Sequence, residues 1–496
     1  MESAGSDQTA EARATQGLVL RNTTFLVLAQ VIATPLSVLT NAVMGRFLGP
    51  AEFGELYLAW TFATFAGLAV ECGQGGAVPA MVAKDRTRAG EFLGTGLGWR
   101  SGAWVVSYGL LAVVCFALGY SPAFQMTLGF VMLNSAVASF GMACQDTIRG
   151  FERTDVSAYA NVGGPFLTAL LVVPTLFLGG RIRGVLLAQT VAAAIVGFFV
   201  WRNLRPAGVG RLSVRLDTLK TLLAHGYPFL FFGLAMALQP NIDAIFLSSI
   251  SPGETVGWYA AARKLVGVLV FPASALTTAL YPTLCRLHVE DKQAFRRLAS
   301  SSLRMTTILV IPVAVGCALY PEIGISLFSR KAFGPAGDDL RILSFFVFLV
   351  YFSMALGICL LAAGRQRAWA MVQAVCVVVS VVLDPPLIRW FQAHLHNGGL
   401  GICVTVVASE VLMVGAGIVL APRGIFDRSL IRQLAVTFLA GALMALVARL
   451  LSGFSPFAAA PVAVTAYAIG LVALGGIDKE QADGFRSIVM RKVRKR

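Results

Sequence analysis

Two aspartates set inside apolar stretches, Asp243 and Asp384, are the residues of this 496-residue chain best placed for ion chemistry. Asn241 precedes the first by two residues, and Thr405 and Glu410 share a third apolar stretch. Counted from helix starts near 226 and 368, at 1.5 Å per residue, the two aspartates lie about 25 and 24 Å along their helices. Hard cations take oxygen ligands, so carboxylates at equal depth suit a shared cation completed by Asn241 and Thr405. The alternative places both acids near an outer interface, simply solvated. Basic groups form a second set. Arg263 and Lys264 are adjacent within an apolar stretch, and Arg149 and Arg153 close the inner end of another. Guanidinium groups grip anions in a bidentate fork; the alternative is that these side chains snorkel toward headgroups. Glu71 and Asp146, also at depth, suit pairing with such arginines as a gate, or a structural role, and Glu410 suits intramembrane pairing.

These residues need membrane helices to hold them. Hydrophobic residues make up 57% of the chain and charged ones 13%, against roughly 25% charged in ordinary globular proteins. A bilayer accommodates that composition as helices of about 20 apolar residues. Apolar stretches run near 22–45, 54–80, 101–119, 123–147, 156–178, 184–201, 226–250, 255–284, 302–328, 342–362, 368–388, 399–421, 433–451 and 457–477. The polar N-terminus has no basic segment leading to a cleavage site, which argues against a signal peptide. Of the 40 Lys and Arg residues, 30 fall on the side that holds both termini, Arg100 among them, and 8 on the other. Arg263 and Lys264 lie within a span. The positive-inside rule then predicts both termini in the cytoplasm. The net charge of +15 is thus a mark of topology and does not point to nucleic acid. The eight cysteines are scattered singly, with no C-x-x-C pair, so neither a zinc site nor a redox motif is expected.

An internal repeat is visible at about 200 residues. Pro50, Glu52 and Tyr57 match Pro252, Glu254 and Tyr259 at offset 202. Pro79 matches Pro282 at 203, Gly150 and Arg153 match Gly364 and Arg367 at 214, and Gly184 matches Gly401 at 217. Asp243 then falls on Asn41 and Asp384 on Leu170, which confines the acid pair to one half. The expectation is an all-α integral membrane protein of about 14 helices, two parallel six-helix repeats plus two C-terminal helices. Its parts would be a cytoplasmic tail (1–20), an N-lobe (21–203), a cytoplasmic amphipathic linker (204–225), a C-lobe (226–421), helices 13 and 14 (422–478) and a basic cytoplasmic tail (479–496). In the linker, 211–223 puts Leu212, Leu216, Leu219 and Leu223 on one face of an expected interfacial helix. The basic tail suits anionic headgroups.

The stretch Arg46 to Tyr57, with Gly49-Pro50-Ala51-Glu52-Phe53-Gly54, resembles the first hairpin of bacterial polysaccharide flippases. Pro252 to Arg263 resembles the second, and Pro272 through Ser274-Ala275-Leu276 to Tyr281-Pro282, Gly364-Arg365-Gln366 and Gly398 to Gly401 continue the likeness. Nearly the whole chain is covered. The resemblance implies the multidrug/oligosaccharidyl-lipid/polysaccharide exporter superfamily. It implies a non-enzymatic transporter in the bacterial inner membrane that moves polyprenyl-diphosphate-linked oligosaccharide to the outer leaflet. Arg263, Lys264, Arg149 and Arg153 would then meet the diphosphate. Asn241, Asp243, Asp384 and Thr405 would resemble the sodium site of some relatives, with Na+ or H+ as coupling ion and no other cofactor. Membrane lipids, a glycan polymerase and glycosyltransferases are the implied partners. A lipid II flippase and a multidrug cation antiporter share the scaffold, although an antiporter cavity should be smaller, acidic and aromatic. A membrane glycan polymerase or ligase would need a large polar outer loop, whereas the outer loops here are short. The chain has no G-x-x-x-x-G-K-[ST] motif for nucleotide.

Overall fold

The computed structural model describes residues 2–329 and 331–476, and every regular element among them is helical. The basic tail 479–496 lies outside the described residues, as do Met1 and Arg330. In chain order the helices are α1 (Glu2–Glu71), α2 (Gln74–Lys84), α3 (Ala89–Ala117), α4 (Pro122–Gly150), α5 (Thr154–Phe177), α6 (Ile182–Arg202), α7 (Leu216–Ile250) and α8 (Gly253–Glu290). There follow α9 (Lys292–Leu319), α10 (Pro321–Ile325), α11 (Ala336–Ala362), α12 (Gln366–Leu395), α13 (Gly399–Leu420), α14 (Arg428–Leu450) and α15 (Pro456–Ala473). Twelve stretches among the described residues are long and apolar enough to cross a membrane. The longest, Ala33–Lys84, contains a backbone break at Gly49 (φ 75, ψ 173) and so holds two passes. Gly49 precedes Pro50, whose ring disfavours the helical region for the residue before it. The 35-residue α7 adds the apolar segment Asn241–Ile250. About fourteen spans result, as the hydropathy pattern predicts. Val106, Phe116, Leu178 and Val419 are among many large apolar side chains left exposed, as helices facing lipid require.

Helix ends follow local rules. Ser121 caps α4 by accepting from Phe124 N at 3.2 Å, with Pro122 in the first turn. Asp291 caps α9 through Gln293 N (2.8 Å) and Ala294 N (3.0 Å), and Asp427 caps α14 through Leu430 N (2.7 Å). α4 ends on a left-handed Glu152 (φ 62) and α11 on a left-handed Gly364 (φ 74). These two helix ends stand 212 residues apart, so Gly364 corresponds to Glu152 in backbone geometry rather than to Gly150.

The chain forms two compact units, Met1–Ala260 and Ala261–Arg496, with the division inside the unbroken α8. The first unit therefore takes α7, which the repeat would group with the later helices. Its core joins Val82, Phe92, Leu93, Ile148, Val200 and Leu222. In the second unit, Leu284, Phe295, Leu303, Leu356 and Cys359 pack together beneath Ile425 and Leu430.

The linker departs from expectation. Residues 209–215 are not helical, and the helix begins only at Leu216 as the start of α7. The extended stretch lies on α3, where Gly90 and Gly94 provide a groove. A Cβ at Gly90 would stand 2.4 Å from Arg211 O, and one at Gly94 2.6 Å from Ser213 O. Thr95 pins it, its hydroxyl accepting from Arg215 N at 3.1 Å. The face of α7 that becomes buried carries Thr218, Leu222 and Gly226, while Leu212 and Leu216 remain exposed. Docking of backbone on backbone overrides the leucine periodicity that predicts an interfacial helix.

Candidate functional site

The second pass of the first unit does not continue unbroken to residue 80. It breaks at Cys72 (φ 47) and Gly73 (φ 71), and α2 restarts at Gln74. The break abuts α7 so closely that a Cβ on Gly73 would stand 2.0 Å from Gly226 O. Glu71 sits at the last turn before the break and accepts from Gly75 N at 3.0 Å, covering a donor that the break exposes. Next to it lies a buried charge cluster. Arg100 Nη2 stands 3.5 Å from Asp146 Oδ2, and Arg149 Nη1 3.4 Å from Asp146 Oδ1. Arg100 also donates to Gln74 Oε1 (3.1 Å) and to Ser139 O (2.9 Å). Arg100 and Asp146 are 3% and 4% exposed, whereas Arg149 is exposed. Thus α2, α3 and α4 are tied by one guanidinium at the point where the helix breaks.

Arg100 is the residue that hydropathy misplaces, since its charge assigns it to a loop. The helix in fact begins at Ala89, so Arg100 stands three turns inside α3. The small, apolar run Gly94-Thr95-Gly96-Leu97-Gly98-Trp99 before it is the signal that could have shown this.

The remaining polar groups of the first unit are more dispersed. Asp243 is 1% exposed, with the Tyr259 hydroxyl 3.5 Å from its Oδ2. Asn241 donates to Ala237 O at 2.8 Å and so closes onto its own helix. Arg153 binds Asp155 at 3.0 Å and lines a cavity of about 600 Å³ with Tyr159 and Asn203. A further cavity of about 330 Å³ is lined by Trp60, Asn134, Gln145, Thr168 and Gln189.

The second unit holds the other half of the expected cation set. Asp384 and Thr405 are both fully buried. A Cβ on Gly401 would touch the backbone of Leu387 and Ile388 at 2.6–2.8 Å, which sets the register of antiparallel α12 and α13. Three residues before Leu387, Asp384 comes level with residue 404, beside Thr405. Ser380 and Ser409 extend this polar seam, and both are buried. Thr405 bonds its own helix at Gly401 O (3.2 Å). Both aspartates are therefore sequestered from solvent, each in its own unit. Arg263 lies half-buried, with its guanidinium 5.5 Å from the Phe346 ring centre and near enough to Glu410 for their charges to interact. Glu410 accepts from Ser353 Oγ. Lys264, one residue on, is exposed. Asp339, which the sequence pattern does not single out, is fully buried and accepts from Asn397 Nδ2 at 3.0 Å.

The chain is a multi-pass α-helical membrane protein with buried charges between its helices, and the proteins it is similar to are named as flippases and transporters rather than enzymes. Residues 19–288 match the model of the family described as polysaccharide biosynthesis protein, and the chain belongs to that family. A relative named "Probable flippase AglR", from Haloferax volcanii, is 21% identical over 453 residues, covering 89% of this chain and 91% of its own. Among solved structures, "Lipid II flippase MurJ, inward closed conformation" superposes with a TM-score of 0.72 at 12% identity, over 89% of this chain and 97% of that one. An inward-facing multidrug resistance MATE family transporter gives 0.63 at 16% identity, over 80% and 96%.

Proposed function

We propose that the protein flips a polyprenyl-diphosphate-linked oligosaccharide from the cytoplasmic to the outer leaflet of a bacterial inner membrane, by alternating access coupled to a cation gradient. The observation that carries this reading is the match of 89% of the chain to a protein named as a flippase, joined to membership of a polysaccharide biosynthesis family. Arg263 is the side chain best suited to the diphosphate, since α8 holds it at membrane depth, partly covered and next to an aromatic face. Lys264, Arg149 and Arg153 are secondary; Asp146 and Asp155 already engage the two arginines. Asp243, or Asp384 with Thr405, is the candidate for the coupling ion, which shifts a transporter's equilibrium only by binding one conformation better than another. A glycan polymerase and glycosyltransferases are the expected neighbours in the pathway.

The test is export of lipid-linked glycan in cells that depend on this chain. Arg263→Gln should lose export while inserting normally and keeping the residual gradient dependence. Asp243→Asn and Asp384→Asn should each remove most of that dependence. Full export by Arg263→Gln, with both Asn variants still gradient-dependent, overturns the assignment. The likeness to a lipid II flippase supports a second substrate reading. Rescue of a strain depleted of its lipid II flippase, without rescue of a strain lacking its oligosaccharide flippase, would establish that one instead.

A further inference from the structure

The end of α6 and the start of the linker line a cavity of about 830 Å³ that contains none of the residues assigned above to the substrate or the coupling ion. Along α6, Val191, Ile195 and Phe198 are exposed at helical spacing, an apolar stripe of the kind that faces acyl chains. The next position on that stripe is Arg202. Arg205 follows, and the extended linker brings in Arg211 and Leu212, so three guanidinium groups stand over an apolar floor. No carboxylate lines the cavity, and no ion pair to any of the three arginines is present among the described residues. Trp201 shares the wall, its ring 5.4 Å from that of Phe140.

The site is built rather than draped. Leu204 and Val209 are buried beneath it, and the turn between them closes through Gly208 N to Arg205 O (2.9 Å) and Val209 N to Leu204 O (3.1 Å). Beyond the turn, the Gly90 and Gly94 groove fixes the backbone that carries Arg211. Snorkelling alone would need none of this, because isolated arginines reach headgroups without converging.

We propose that this cavity binds the headgroup of an anionic phospholipid, with phosphate among Arg202, Arg205 and Arg211 and an acyl chain along Phe198, Ile195 and Val191. Guanidinium groups bind phosphate in charge-assisted pairs, and aromatic residues favour the headgroup level. This site is independent of the transport substrate.

The experiment is native mass spectrometry of the full-length protein, titrated with phosphatidylglycerol, cardiolipin or phosphatidylcholine. Wild type should retain the two anionic lipids over phosphatidylcholine. Arg202→Gln/Arg205→Gln/Arg211→Gln should weaken that retention by at least about tenfold, and Arg211→Gln alone by part of it. The charge-matched Arg286→Gln/Arg428→Gln/Arg432→Gln control should bind as wild type does. Equal retention by the two triple variants overturns the proposal, as does equal retention of phosphatidylcholine. Displacement by millimolar inorganic pyrophosphate would indicate a soluble-phosphate site. A marked preference for polyprenyl diphosphate over phosphatidylglycerol would give the cavity to the transport substrate; either result overturns the phospholipid assignment.

Discussion

Removing the carboxylate of Asp146 tests whether the charge cluster holds the first unit together. In Asp146→Leu, the buried Arg100 loses its ion-pair partner and keeps Gln74 Oε1 and Ser139 O as acceptors, with Glu71 beside the cluster as the remaining carboxylate. Breaking one side of a buried pair costs roughly 3–5 kcal/mol. For a unit of this size, each kcal/mol moves Tm by about 2–4 °C, so the loss should be on the order of 6–20 °C. The double variant Arg100→Leu/Asp146→Leu removes both charges and should recover most of that loss, because an apolar pair needs no compensation. Thermal unfolding of detergent-purified protein, followed by monodisperse size-exclusion signal, gives all four corners of the cycle. A double variant no more stable than Asp146→Leu would refute the reasoning, as would a single variant that melts within a degree or two of wild type.

Gly73→Ala should destabilise the protein by about 1–3 kcal/mol or more, since the new Cβ meets Gly226 O at 2.0 Å on a left-handed backbone; the same thermal assay checks it. Cysteines at the exposed positions Ser121 and Ser452 should label with an impermeant thiol reagent in intact cells, and one at Ser429 should not; labelling at Ser429 would reverse the proposed orientation. The backbone N–H groups of Ala294 and Gln293 hold the Asp291 carboxyl below the ordinary aspartate range. Its contribution to stability is therefore present above the unfolded-state pKa and lost as pH falls through the lowered one. Asp291→Asn should keep a cap and lose that acid-dependent part, so the stability difference from wild type should shrink as pH falls through and below the ordinary aspartate range. Asp339→Ala should cost about 1–3 kcal/mol by taking away the 3.0 Å acceptor of the buried Asn397 Nδ2 and leaving it Pro335 O at 3.5 Å, which melting of the purified variant would register.

Hydropathy made the spans legible because a bilayer leaves the backbone few alternatives, and Asp243 and Asp384 were legible as acids within spans because charge is rare there, but the pattern did not decide between a buried site and solvation at an interface. Contacts made by backbone were not legible. The groove under the linker depends on Gly90 and Gly94, which read as ordinary small residues of a span. The break at Cys72 and Gly73 lies within the stretch 54–80 read as one span, although Glu71-Cys72-Gly73-Gln74-Gly75-Gly76 is polar and glycine-rich and carries the breaker signal that the overall hydropathy hides. Arg100 was hidden for the opposite reason. A single charge shifted the expected helix start by a dozen residues, while the glycines that allow its burial carry no hydropathic weight. Glu71 and Asp146 were visible as acids needing a partner, but the partner that satisfies Asp146 from α3 was not.

The docked linker also bears on where the chain tolerates engineering. The longest polar connection, 202–225, invites a tag or reporter anywhere along it. Its slack is confined to the tip of the hydrogen-bonded turn before Gly208, because beyond it Gly210 and Arg211 lie against Gly90, Ser213 against Gly94, and Arg215 is held by Thr95 of α3. A few residues added after Ala207 would bulge into solvent. The same residues added at Ser213 would slide the clamp out of step and pull on the first turn of α7. The connection behaves as a fastened strap, and its length is as constrained as that of a helix.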